Sequence, residues 1–195
     1  MSDRTVPLVD LGLQHRQVAE EVKAGWEAVL ERTAFVLGDE VATFEQAYAD
    51  FIGVSHCVGV ANGTDSLELA LRALDIGPGD EVVVPANTFV ASALAVRRSG
   101  ATPVLVDVDA DHLLIQPGQV AEALGPRTRA VMPVHLYGQM APMRELAACC
   151  DPDLAIVEDC AQAQGATQYG AHAGTFGAIS GTSFYPGKNL GAYGD

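Results

Sequence analysis

Early in the chain, hydrophobic residues recur at helical spacing. Residues 14–31 carry Val18, Val22, Trp26, Val29 and Leu30 on one face, and residues 40–51 repeat the pattern with Phe44, Ala47, Tyr48 and Phe51. Between them Phe35-Val-Leu-Gly38-Asp39 breaks the period: Gly38 tolerates an unusual φ, and Asp39 is suited to cap the second helix. Further on the pattern alternates. Short apolar, β-branched runs at 56–61, 81–85, 102–108, 130–135, 154–158 and 178–184 predict strands, and helical stretches at 66–74, 90–98, 118–124 and 143–150 fall between them. Pro117 and Pro142 stand where a first helical turn accepts proline.

Strands alternating with helices predict βαβ units, hence an α/β fold of three layers, α/β/α, around a mostly parallel central sheet. Residues 1–53 read as an N-terminal helical segment and 54–195 as the larger unit. Ligands of such sheets gather at the carboxyl ends of the strands. That rule selects the segments after Ala61, Pro85, His135, Glu158 and Phe184.

Composition narrows the partners. Of 195 residues 49% are hydrophobic and 18% charged, which suits buried parallel strands and excludes disorder. The formal net charge is −14 with no basic run, so neither nucleic acid nor an anionic membrane is an expected partner. A single phosphate can still settle on backbone N–H donors. Cys57, Cys149, Cys150 and Cys160 lack C-x-x-C spacing, so no metal site is expected and the thiols read as those of a reducing compartment. The first residues have no apolar signal core, and no run approaches the ~20 apolar residues of a membrane span. The expectation is a soluble, cytoplasmic protein.

Four segments carry candidate chemistry. In Ala61-Asn-Gly-Thr-Asp-Ser66, Gly63 permits a tight turn, and Thr64 and Asp65 can cap a helix whose free N–H groups would cradle a phosphate. Taken alone, this is also how an ordinary strand-to-helix turn reads. Asp159 ends an apolar strand and can hold a pyridine nitrogen protonated, or stand exposed and unpaired; Gln162 can donate to a phenolic oxygen or be a loop amide. Phe89 can stack on a flat heterocycle or belong to the core. Lys188, in Ser183-Phe-Tyr-Pro-Gly-Lys-Asn-Leu-Gly-Ala192, has nearly uncharged flanks, which argues against a solvated face; Ser183 can add a phosphate contact. His135 reads as a satisfied core or loop histidine, with pocket lining as the alternative. A lysine amine and a carboxylate, each delivered by a strand end, suit pyridoxal phosphate chemistry, in which the amine forms a Schiff base and the acid charges the ring.

These motifs, in the order Gly-Thr-Asp-Ser-Leu at 63–67, Asn-Thr-Phe-Val-Ala-Ser at 87–92, Glu-Asp-Cys-Ala-Gln-Ala at 158–163 and the lysine segment at 183–192, resemble the DegT/DnrJ/EryC1/StrS family of sugar aminotransferases. That family lies within the fold-type I pyridoxal-phosphate enzymes, and the opening Pro7–Leu11 and the Pro133-Val-His-Leu-Tyr-Gly138 segment match its pattern too. The resemblance implies that Lys188 carries the cofactor and shuttles a proton, Asp159 pairs with the ring nitrogen, Gln162 contacts the ring oxygen and Phe89 stacks. Gly63, Thr64, the Asp65 backbone and Ser183 would hold the phosphate. It further implies an amino donor, L-glutamate, a nucleotide-linked (dTDP) keto-deoxysugar as acceptor, and a homodimer. The text ends at Gly194-Asp195 soon after the lysine, so the chain is expected to be an N-terminal portion with the small C-terminal domain absent. Two rivals remain at this point. Dehydratases of the same family carry histidine where Lys188 stands. A non-catalytic, partner-dependent relic is what an early end would favour.

Overall fold

The computed structural model describes residues 6–194. Two helices lead the chain, α1 (Leu11–Arg32) and α2 (Asp39–Ile52), followed by α3 (Gly63–Ala73). Then strands and helices alternate: β1 (Glu81–Pro85), α4 (Val90–Ser99), β2 (Thr102–Val106), α5 (Pro117–Ala123), β3 (Thr128–Val131), α6 (Met143–Cys149) and β4 (Ala155–Asp159). A two-stranded antiparallel hairpin, β5 (Thr167–Gln168) and β6 (Ala171–His172), precedes β7 (Ile179–Gly181). The main sheet has the order β2-β1-β3-β4-β7, with every neighbouring pair parallel.

The central strands are apolar on both faces because both faces are covered. On β1, Val82 and Val84 join Leu67, Leu71, Ala95 and Val96 from α3 and α4. Val83, pointing the other way, joins Val120, Met143 and Leu146 from α5 and α6. One helix layer therefore lies on each side of the sheet, and the expected three-layer α/β/α architecture is the observed one.

Parallel strands put the ends of β1, β4 and β7 on one edge, which is what positions the site. The first turn of α3 packs against the end of β7 with no room for side chains between them. A Cβ on Gly181 would lie 2.6 Å from Ser66 Oγ and 2.7 Å from Leu67 Cδ2, and one on Gly63 would lie 2.7 Å from Ser183 Cβ.

The structure departs from the sequence pattern in several places: Asp39 opens α2 as its first residue, with Gly38 as N-cap at an ordinary φ of −74° and no side-chain cap, and three more bear on the site. Residues 56–61 form no strand: Val58 is 75% exposed, and the Gly59 N–H donates to Glu45 Oε1 at 2.6 Å instead of to a ladder. Apolar β-branched composition marks a willing strand, but a strand exists only where a neighbour offers an edge, and none among the described residues does so here. Second, α3 begins at Gly63, not Ser66, because Asn62 caps it. Third, the predicted strand at 178–184 is paired only over Ile179–Gly181, freeing Thr182 and Ser183 for side-chain contacts.

Leu71 is fully buried between α3 and the sheet, whereas Leu69 on the same helix is 49% exposed. Leu71→Ala should lower unfolding free energy by about 2–5 kcal/mol in urea titrations, and Leu69→Ala by about 0.5 kcal/mol or less. Equal losses would contradict this packing.

Candidate active site

At the start of α3, Asn62 satisfies two amides. Its side-chain oxygen accepts from the Asp65 N–H at 2.9 Å, and its carbonyl accepts from the Ser66 N–H at 3.0 Å. The amides of Gly63 and Thr64, first in the helix, have no intrahelical acceptor. The Asp65 carboxylate turns away to Arg98 (3.0 Å) and to the Asn62 amide (3.1 Å). Ser183 is pressed against Gly63, with its hydroxyl accepting from the Tyr185 N–H at 3.3 Å. Free amides at a helix N-terminus beside a serine hydroxyl are suited to receive an anion, and a Cβ at 63 would run into the Ser183 side chain.

Asp159, at the end of β4, is only 4% exposed. Its Oδ1 accepts from the Ala161 N–H at 3.1 Å and its Oδ2 from the Ser92 hydroxyl at 2.7 Å. Burial raises its pKa above the ordinary carboxyl value; the Ser92 hydroxyl, the Ala161 N–H and the charge of Lys188 draw it part of the way back. Lys188 therefore stands within electrostatic reach of the acid. It is half-buried and, among the described residues, in no ion pair.

Gln162 is half-buried, and its Oε1 accepts from the Tyr137 N–H at 2.9 Å, which leaves its amide NH2 free to donate. Phe89 is 67% exposed at the N-cap of α4, so it is a surface ring and not a core one. His135 is a satisfied core histidine. The Ala141 N–H donates to its Nδ1 at 3.0 Å, so the ring proton lies on Nε2, which meets Glu158 Oε2 at 2.9 Å. Glu158 also takes the N–H groups of Gly174, Phe176 and Gly177. Burial pushes its carboxyl up, but His135 and these amides outweigh burial and hold it below the usual value.

Three contributors escaped the sequence reading. Ser92 and Thr88 lie behind Asp159, their hydroxyls 2.8 Å apart. Gln164 braces the lysine loop: its side-chain amide donates to Ser183 O at 2.6 Å and to Thr182 Oγ1 at 3.0 Å, and its backbone carbonyl accepts from Asn189 Nδ2 at 2.8 Å. A polar side chain within an otherwise small, apolar stretch was the signal in each case.

A five-stranded parallel sheet covered by helices on both faces is the fold of the fold-type I aminotransferases. Residues 16–195 match the model of the DegT/DnrJ/EryC1/StrS aminotransferase family, and the chain belongs to that family. It is 47% identical over 191 residues to the dTDP-3-amino-3,4,6-trideoxy-alpha-D-glucose transaminase of Streptomyces venezuelae, covering 97% of this chain and 50% of that protein. S. venezuelae DesV, solved in complex with a ketimine intermediate, superposes with a TM-score of 0.94 at 47% identity, over 97% of this chain and 52% of the other. Bacillus subtilis ntda with bound cofactor PMP gives 0.91 at 31% identity, over 100% and 45%. The chain thus spans about half the length of the relatives it matches.

The raised carboxyl of Asp159 has a consequence for stability. Its contribution is complete below the ordinary value of 3.8 and is lost as pH rises through the higher folded value. In Asp159→Asn the buried charge disappears, and the Ser92 hydroxyl can reverse to accept from the new amide. This variant should therefore unfold at a higher urea concentration than the parent at neutral pH, the gap closing as pH falls towards 3.8. A parent equal to the variant at neutral pH would contradict the assignment.

Proposed function

We propose that this chain forms the cofactor-binding half of a pyridoxal-phosphate-dependent aminotransferase that moves an amino group from L-glutamate to the keto carbon of a nucleotide-linked, dTDP-type deoxysugar. The observation that carries the reading is electrostatic: the Lys188 ammonium acts on a buried Asp159 carboxylate that has no other cation paired with it among the described residues. The free amides at the start of α3 fit the cofactor's phosphate, and a Cβ at Gly63 would meet Ser183 at 2.7 Å.

Pyridoxal phosphate, when bound, supplies an aldehyde that links covalently to amines and a ring that withdraws electrons from the attached carbon. Each residue then has a task. The Gly63 and Thr64 amides and the Ser183 hydroxyl hold the phosphate, which a chain of net charge −14 could bind only through such local donors. The Asp65 N–H, expected to meet the phosphate, is taken by Asn62 Oδ1 at 2.9 Å, so Asp65 serves the turn and not the phosphate. Asp159 would accept a hydrogen bond from the protonated ring nitrogen and keep the ring cationic, which would stabilise negative charge on the reacting carbon. The Gln162 amide, its oxygen already bound to Tyr137, donates to the ring's phenolic oxygen, and Phe89 covers one ring face.

Lys188 provides the amine that holds the aldehyde. When not holding the aldehyde, the same amine would be free to take up and return a proton at the reacting carbons. Over both half-reactions, glutamate leaves as 2-oxoglutarate and the sugar ketone oxygen is replaced by an amine.

The working unit we propose is a homodimer. On α1 and the loop after it Leu13, Trp26, Leu30, Phe35, Val36 and Leu37 are all exposed, and a partner subunit would cover such apolar side chains. Light scattering on the complete protein should give twice the chain mass, and a stable, active monomer would contradict it. Among the described residues no helix is long and apolar enough to cross a membrane.

Mixed with pyridoxal phosphate, the protein should gain an absorbance band near the visible edge. Borohydride reduction should then fix the cofactor mass on the peptide carrying Lys188, and Lys188→Ala should lose both signals. Labelling at Lys23 in place of Lys188 would end the proposal. Presenting dTDP- and UDP-linked keto-sugars to the aminated form and following its reversion identifies the acceptor; the dTDP ketone should react faster.

A further inference from the structure

Among the described residues Ser92 is the one whose side chain hydrogen-bonds the buried acid, and the count of protons around its hydroxyl fixes the direction of each bond. Ser92 is fully buried in the first turn of α4. Its oxygen lies 2.7 Å from Asp159 Oδ2, 2.8 Å from Thr88 Oγ1 and 3.5 Å from the Phe89 carbonyl. An ionised carboxylate only accepts, so the single serine proton goes to Asp159 and the bond from Thr88 must be donated to Ser92. The two hydroxyls therefore form a directed pair, Thr88 to Ser92 to Asp159.

This pair links two parts of the site that the chain brings in separately. Thr88 and Phe89 end the loop leaving β1, and Asp159 ends β4 on the other side of β3. With Ala161 holding Oδ1 and Ser92 holding Oδ2, the carboxylate plane is pinned at both oxygens, each of which keeps one lone pair free.

We propose that Ser92, polarised by Thr88, is a positioning residue that fixes the orientation of the Asp159 carboxylate and favours its ionised form, and that it registers the Phe89 loop against that acid. The hydroxyl pair is independent of any ligand, whereas its value to a cofactor rests on the reading of Asp159 as the acid facing the ring nitrogen. Among the described residues Lys188, His135 and Cys160 interact electrostatically with Asp159, His135 and Cys160 from beside Glu158 on the opposite face; none is altered by the test below.

The test has two arms. In the full chain without cofactor, carbon-detected NMR follows the Asp159 carboxyl against pH. Ser92→Ala, which removes a donor to the charged form, should move its midpoint up by about one pH unit. Thr88→Val, which leaves Ser92 in place, should move it in the same direction by less. An unchanged midpoint in Ser92→Ala overturns the proposal, as does a larger shift in Thr88→Val.

In the second arm, Ser92→Ala should bind pyridoxal phosphate about tenfold more weakly than the parent, with Lys188 still the modified residue after reduction. Binding as tight as the parent's overturns the positioning role. A parent that takes up no pyridoxal phosphate overturns the functional reading of the site but not the hydroxyl pair, which the first arm decides alone.

Discussion

A carboxylate taken out of water without a cation against it is the constraint on which this structure turns. Asp159 is 4% exposed and has two hydrogen-bond donors, but among the described residues no ion pair. Burial pushes its pKa up, so in the ionised form the group is held at a cost to the fold. A protonated ring nitrogen would supply the missing positive charge, and the cost of burial would then be offset when the cofactor arrives. Perturbed acids of this kind concentrate where chemistry is done.

Its neighbour shows what a purely structural acid looks like. Glu158 is equally buried, one residue earlier and hence on the opposite face of β4. There it takes four N–H donors, from His135, Gly174, Phe176 and Gly177, and its carboxyl is drawn below the usual value. It ties the end of β4 to the segment that feeds β7, and so to the lysine loop. Two adjacent carboxylates thus have opposite fates because strand alternation sends one into a closed network and the other to the edge where the strand ends meet.

Much of this was legible in the sequence, and the reasons are specific. The alternation of apolar runs with helical stretches announced a covered parallel sheet, because only strands buried on both faces read like Val82-Val83-Val84. The strand-end rule then pointed to the segments holding Phe89, Asp159 and Lys188 before any geometry was known, whereas it reached Gly63 through a strand at 56–61 that does not form. What escaped was whatever depends on a partner distant in the chain. The run at 56–61 has strand composition but no edge to join, and the start of α3 was set by Asn62, whose capping bond periodicity does not register. Ser92 and Gln164 look like ordinary polar residues until β4 and the lysine loop are brought beside them, 67 and 19 residues away along the chain.

The central claim is that one flat ring fits between the amine of residue 188 and the acid of residue 159 while its phosphate rests on the first turn of α3. A crystal structure of the protein grown with pyridoxal phosphate tests this most directly. The account predicts continuous density from Lys188 Nζ to the cofactor, the ring nitrogen about 3 Å from an Asp159 oxygen, and phosphate oxygens on the Gly63 and Thr64 amides and Ser183 Oγ. Cofactor bound elsewhere on the protein, or bound at Lys188 with its ring nitrogen turned away from Asp159, would contradict it.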